Sequence, residues 1–156
     1  MLFQNPTLGS ILFDDVIQTI ANFVQSDPQQ QYEVTIGSDS EQHHDIVECI
    51  SAIVVHRVGY GARYFWMRTE HLPFPALRER IWHEAILSTT LAKSVLEALM
   101  ERADWASDIT VHVDVGERGP TRVLIREICG FVRASGFAVR IKPESYAASA
   151  VADRFM

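Results

Sequence analysis

Lysine is scarce in this chain: Lys93 and Lys142 are the only two among 14 basic residues. The remaining positive charge is arginine, outnumbered by 20 acidic residues, for a formal net charge of -6. That balance argues against a dedicated basic surface for gripping nucleic-acid backbones. It leaves room for a local contact, because a single arginine binds phosphate through two hydrogen bonds. Cysteine is equally sparse. Cys49 and Cys129 stand alone in the sequence and fit no linear metal or redox spacing. A reducing, cytoplasmic location is the expectation. No apolar run approaches the roughly 20 residues that span a bilayer, and Met1 to Pro6 lacks the basic start and apolar core of a secretory signal. No membrane association is expected. Internal repeats, a glycine-rich phosphate loop and a nucleophile elbow are also lacking.

What is present is ordinary globular composition. With 47% hydrophobic and 22% charged residues over 156 positions, the chain can bury one core without disulfides. The expectation is a single domain over 1–156, with 1–30 as an N-terminal helical extension and 31–156 as the core.

Phe13, Val16, Ile17, Ile20 and Val24 recur at helical spacing, which predicts a helix over 11–26 with Ser10 as its cap. The period then changes. Residues 32–37 read as a strand closing on Ser38-Asp39-Ser40, and a polar turn runs from Glu41 to Asp45. Residues 47–58 and 62–71 read as two more strands joined by the Gly59-Tyr60-Gly61 turn. A helix is predicted over 76–102, with Leu77, Ile81, Ala85, Ser88, Ala92, Val95 and Leu99 on its inner face. Ile109 to Val115 alternates strictly, as a strand should. Thr121 would cap a helix over 122–134, Phe137 to Ile141 would form a fifth strand, and Tyr146 to Arg154 a short last helix. The predicted architecture is α/β: a five-stranded mixed sheet, made of an antiparallel meander followed by βαβα with right-handed crossovers, with helices on both faces.

Four acids fall at places suited to chemistry. Asp39 follows the first strand and Asp114 closes the fourth, where aspartate otherwise simply begins a turn. Glu84 lies on the inward stripe of the long helix, where a carboxylate is costly unless paired or metal-bound; an ion pair with Arg80 is the plain alternative. Asp153 lies among alanines on the last helix, which reads equally as a solvated acid near a chain end. As a set, four acids from two strand ends and two helices suit Mg²⁺ or Mn²⁺, which prefer oxygen ligands. Two such ions about 3.5–4 Å apart are the recurrent engine of phosphodiester cleavage.

This order of elements and acids resembles the ribonuclease H-like superfamily from about Tyr32 to Met156. There an aspartate ends the first strand, a glutamate lies on the helix after the meander, an aspartate ends the fourth strand, and a fourth acid comes from the last helix. Asp39, Glu84, Asp114 and Asp153 match one by one. Ile-Gly-Ser-Asp-Ser at 36–40, His-Val-Asp-Val-Gly at 112–116 and Ile-Lys-Pro-Glu-Ser-Tyr-Ala-Ala-Ser-Ala-Val-Ala-Asp at 141–153 are similar to the YkuK-like family of bacterial proteins within it. The resemblance implies a metal-dependent nuclease acting on RNA or DNA, with the four acids as catalytic metal ligands. It departs from ribonuclease H proper in lacking a basic gripping extension and a histidine before the last helix, where Lys142-Pro143-Glu144-Ser145 stands instead.

Neighbouring residues have two readings each. Ser38 and Ser40 orient Asp39 or serve only the turn. His112 supports Asp114 or is a packed core histidine. Lys142 contacts a phosphate or merely ends a strand, and Glu144 supplies a ligand or favours a helix N-terminus. His43-His44-Asp45 reads as a solvated turn before a metal cluster, and Phe65, Trp66 and Trp82 as core aromatics before base-stacking platforms. Two functions compete with the nuclease: a non-catalytic nucleic-acid- or protein-binding module that kept the fold, and metal-dependent phosphate chemistry on a small molecule.

Overall fold

The computed structural model describes residues 1–147 and residue 150. Its central feature is a mixed sheet of seven strands, in the order β2-β1-β5-β4-β3-β6-β7. The elements are β1 (Leu2–Asn5), β2 (Gly9–Leu12), α1 (Phe13–Ser26), β3 (Tyr32–His43), β4 (Ile46–Arg57), β5 (Ala62–His71), α2 (Leu77–Ala103), β6 (Ile109–His112), α3 (Ile125–Ala134) and β7 (Ala138–Arg140). A 3-10 turn, Arg122–Leu124, leads into α3. The five expected strands are all there, and β3-β4-β5 is the expected antiparallel meander. β6 pairs parallel with β3, and β7 parallel with β6, as alternating strands and helices require.

The sheet is two strands wider than expected. Residues 1–12 form a hairpin that joins the edge through Gln4 opposite Trp66. The Asn5 side chain accepts from Thr7 N and Leu8 N, both at 2.9 Å, and so folds the turn. Ser10 therefore lies in β2 and caps nothing; α1 starts at Phe13 with Asp14 and Asp15 in its first turn, where the helix dipole favours acids. Thr121 does stand at the start of the 3-10 turn, but its side chain makes no capping bond; its hydroxyl accepts from Gly116 N at 3.1 Å. Leu77, expected on the inner face of α2, is 40% exposed.

The helices α1, α2 and α3 share one core with Ile36, Ile53, Val55, Val111 and Val113, so all three pack on one face of the sheet. Two right-handed crossovers that step in the same direction put their helices on the same side. The expected second helical layer reduces, among the described residues, to the turn beginning at Ala147. By strand alternation the opposite face carries Ile50 and Ala52, covered by Tyr64 and Trp66.

The C-terminus of α1 has no basic residue of its own. Arg57 of β4 supplies the charge, donating to Phe23 O at 2.9 Å and Ser26 Oγ at 2.7 Å, with its guanidinium 4.2 Å from the Phe23 ring centroid. It satisfies a terminal carbonyl and covers an aromatic face at once. Arg57→Ala is expected to lower stability by about 2 kcal/mol, read by urea melts; a change under about 0.5 kcal/mol would refute this anchoring role.

Candidate metal centre

Asp39 lies within β3, which runs six residues beyond the strand expected over 32–37. β6 stops at His112, opposite Gly37, so β3 continues past it with one edge open. Asp114 follows two residues after β6, held in place by Val113 N to Arg140 O at 3.0 Å. Glu84 comes down from α2. Ligand oxygens of Asp39, Glu84 and Asp114 lie within 4.8 Å of one another. Asp153 lies outside the described residues.

Small residues let α2 come this close. Ser88 Oγ donates to Ser38 Oγ at 2.9 Å, and Ser38 Oγ lies 2.8 Å from Ser51 Oγ, which ties α2 to β3 and β4. Ser38 thus serves the helix–sheet seam. Ser40 links two of the acids: its backbone N donates to Asp39 Oδ1 at 3.0 Å, and its hydroxyl donates to Glu84 Oε1.

Glu84 is only 4% exposed. Arg80, the plain alternative partner, does approach it, with Nε 3.8 Å from Oε1. That guanidinium is better engaged with Ser40, donating to its hydroxyl at 2.7 Å and to its carbonyl. Among the described residues, Glu84 Oε2 is buried without a hydrogen-bond partner. Burial above all, with Asp39 and Asp114 adding repulsion, pushes the Glu84 carboxyl up to about 8 against the help of Ser40 and Arg80. A buried carboxylate oxygen without a partner, facing two other carboxylates, is the arrangement a cation resolves. All three side chains offer oxygen, the donor type of hard divalent ions.

Lys142 Nζ sits 2.8 Å from Asp114 Oδ1. Its stem passes over Gly116, where a Cβ would stand 3.1 Å from Lys142 Cβ, so the absent side chain at 116 admits the lysine. The pair is half exposed, a contact worth about 0–1 kcal/mol and easily exchanged. Glu144 stays exposed in the turn after β7. His43 and His44 are exposed, as expected. Phe65 is core, and Trp82 packs on Phe131 and donates to Glu127.

His112 has a role the strand pattern did not reveal. Its Nδ1 accepts from Tyr146 N at 3.0 Å and Ala147 N at 3.1 Å, capping these N–H groups where a helical turn begins. It thereby anchors the chain six residues ahead of Asp153. Accepting at Nδ1 requires the neutral ring. Burial first, then the positive Arg140, lowers its pKa to about 4. Between about 6.5 and about 4 the unfolded chain therefore binds a proton that the folded one refuses, and stability falls as pH falls through that window. His112→Phe is expected to cost about 1–2 kcal/mol at pH 7, as cap losses do, and to flatten this acid-side slope in urea melts. An unchanged slope would rule out the capping role.

A mixed sheet with β3 and β6 side by side, α2 laid across them, and three acids meeting just past the end of β6 defines a class: the chain belongs to the ribonuclease H-like family, whose model matches residues 15–156. The match thus reaches back into α1, beyond the Tyr32 at which the sequence resemblance began. Within the class, the chain is 36% identical over 168 residues to "Uncharacterized protein YkuK" of Bacillus subtilis (strain 168), covering 99% of this chain and 96% of that protein. This places it in a YkuK-like branch. No solved structure matches at a significant level. Family membership points to a nuclease-type or nucleic-acid-binding function, in a fold that often binds divalent metals. Among the described residues, no helix is long and apolar enough to cross a membrane.

Proposed function

We propose that this protein is a divalent-metal-dependent nuclease, hydrolysing phosphodiesters of RNA or DNA, with Asp39, Glu84, Asp114 and Asp153 as the ligands of Mg²⁺ or Mn²⁺. The observation that carries this reading is Glu84: buried, without a partner at Oε2 among the described residues, and gathered with Asp39 and Asp114. Two bound ions supply Lewis acidity at the scissile phosphate and favour ionisation of the attacking water. Asp39 and Asp114 would hold the ions together with Glu84. Ser40 fixes Glu84 and Asp39 relative to each other through its hydroxyl and its backbone N–H. Asp153, outside the described residues, would be the fourth ligand; His112 holds Tyr146 N and Ala147 N six residues ahead of it. Lys142, which pairs with Asp114 at 2.8 Å, would be available to a substrate phosphate if a cation took its place on that carboxylate. We read the chain as one domain, with residues 1–12 extending its sheet.

The test is incubation of the pure protein with labelled single- and double-stranded RNA, DNA and hybrid, in Mg²⁺, Mn²⁺ or EDTA. Cleavage in either metal and none in EDTA is expected. Intact substrate of every type at high enzyme and metal overturns the proposal. The net charge of -6 favours a second reading, a non-catalytic binding module. Its signature is nucleic-acid or protein binding that survives loss of Asp39 and Glu84.

A further inference from the structure

Cys49 is isolated in sequence but not in space. It lies on β4 between Val47 and Ser51, on the face toward α2 that it shares with Ile53 and Val55. His71 ends β5, and His83 sits on α2, next to Glu84. Ligand atoms of Cys49, His71 and His83 lie within 4.8 Å of one another. The two imidazoles meet edge on, His83 Nε2 to His71 Nε2 at 3.2 Å, with ring planes inclined by 72°. Phe74 closes the outer side, its ring centroid 4.8 Å from His83.

We propose that Cys49, His71 and His83 form a second metal site, distinct from the acidic centre, that takes Zn²⁺ or a similar borderline transition-metal ion. In a tetrahedral zinc site, bond lengths of about 2.0–2.1 Å to nitrogen and about 2.3 Å to sulfur set ligand separations of about 3.3 Å for N···N and about 3.6 Å for N···S. The observed separation of the two imidazole nitrogens is already that of two ligands on one ion. One thiolate and two imidazoles select against the hard ions that suit the three carboxylates. Three protein ligands leave a fourth position open, and the Thr69 hydroxyl stands 3.0 Å from His71 Nε2 as a nearby oxygen.

A redox or nucleophilic role does not suit this cysteine. Cys49 is fully buried, and burial, reinforced by Glu84, pushes its thiol up to about 12. A thiol so held is inert unless a cation replaces its proton. Without an ion, one histidine donates its Nε2 proton and the other accepts. On binding, the donor ring gives up its Nε2 proton and takes one up at Nδ1, so both rings stay neutral and present Nε2, and one net proton, that of the thiol, leaves for solvent. Half-buried His71 and His83 give the ion a way in, and Phe74 shields it from water.

Reduced, metal-free full-length protein titrated with Co²⁺ supplies the test. The wild type is expected to develop a thiolate-to-cobalt charge-transfer band and the intense visible bands of a tetrahedral ion, saturating at one equivalent and displaced by Zn²⁺. Cys49→Ser should lose the charge-transfer band. His83→Gln, at a half-exposed helix position that should keep its circular dichroism, should weaken binding more than the roughly 10–100-fold typical of a supporting partner. Asp39→Asn should leave the spectrum unchanged, separating this site from the acidic one. Absence of a charge-transfer band in folded, reduced wild type overturns the proposal. So does a band that survives Cys49→Ser, an affinity unmoved by His83→Gln, or a spectrum lost with Asp39→Asn.

Discussion

Asp39→Asn is expected to lower Mg²⁺- or Mn²⁺-dependent phosphodiester cleavage by about a thousandfold or more while leaving the thermal transition of the metal-free protein within a few degrees of wild type. The two expectations have separate causes. Asparagine has the same shape and keeps an oxygen for Ser40 N, 3.0 Å away in the native protein, so the local backbone is held. The substitution removes one negative charge from a cluster whose ligand oxygens lie within 4.8 Å. Metal-assisted charge stabilisation is worth several kcal/mol at the transition state, and each 1.4 kcal/mol is about tenfold in rate. Initial rates of wild type and variant, purified identically, give the comparison. Cleavage within about tenfold of wild type would remove Asp39 from the chemistry and leave the fold untouched.

The second large effect concerns Glu84 and is visible without a substrate. Its folded-state pKa of about 8 lies above the ordinary 4.5, so between these values the folded protein holds a proton that the unfolded chain has released. Stability of the metal-free protein therefore falls as pH rises through that window, by on the order of 3–5 kcal/mol at full titration. Asp39 and Asp114 oppose its ionisation, while Arg80 and Ser40 favour it. Glu84→Gln keeps an acceptor for the Ser40 hydroxyl and abolishes the titration. In urea melts from pH 5 to 9, the variant should lose its disadvantage progressively and end the more stable form when metal is withheld. Mn²⁺ should reverse the ranking, stabilising wild type more at pH 8.5 than at pH 6 because the ion displaces the proton, and doing little for the variant. Parallel curves for the two proteins, with equal responses to Mn²⁺, would mean that Glu84 neither carries a raised pKa nor binds metal.

Much of this was legible in the sequence because the hydrophobic period switches cleanly. The alternation from Ile109 marks β6 and its buried face, although the strand stops at His112, and the spacing of Ile81, Ala85, Ser88 and Ala92 fixes α2 and its inner face. Glu84 could be singled out because it interrupts an apolar stripe. The N-terminal hairpin was hidden: its strands are four residues each, too short for periodicity to register, and its turn is made by an asparagine side chain. Ser40 looked like a neighbour of Asp39 alone, whereas its hydroxyl reaches Glu84, 44 positions away. The same distance problem concealed Cys49, His71 and His83, which three different elements bring together. Linear spacing finds metal sites built on one turn or helix; it is blind to those assembled by sheet register.

The central claim is that Asp39, Glu84 and Asp114 are one cation site. A crystal structure of the protein soaked in Mn²⁺, with data collected for anomalous scattering, tests it most directly. The account predicts an anomalous peak bonded to oxygens of all three side chains at about 2.0–2.3 Å, with Glu84 Oε2 among the ligands and Lys142 withdrawn from Asp114. Well-ordered carboxylates with no anomalous density between them, and Lys142 still on Asp114 at millimolar Mn²⁺, would contradict it.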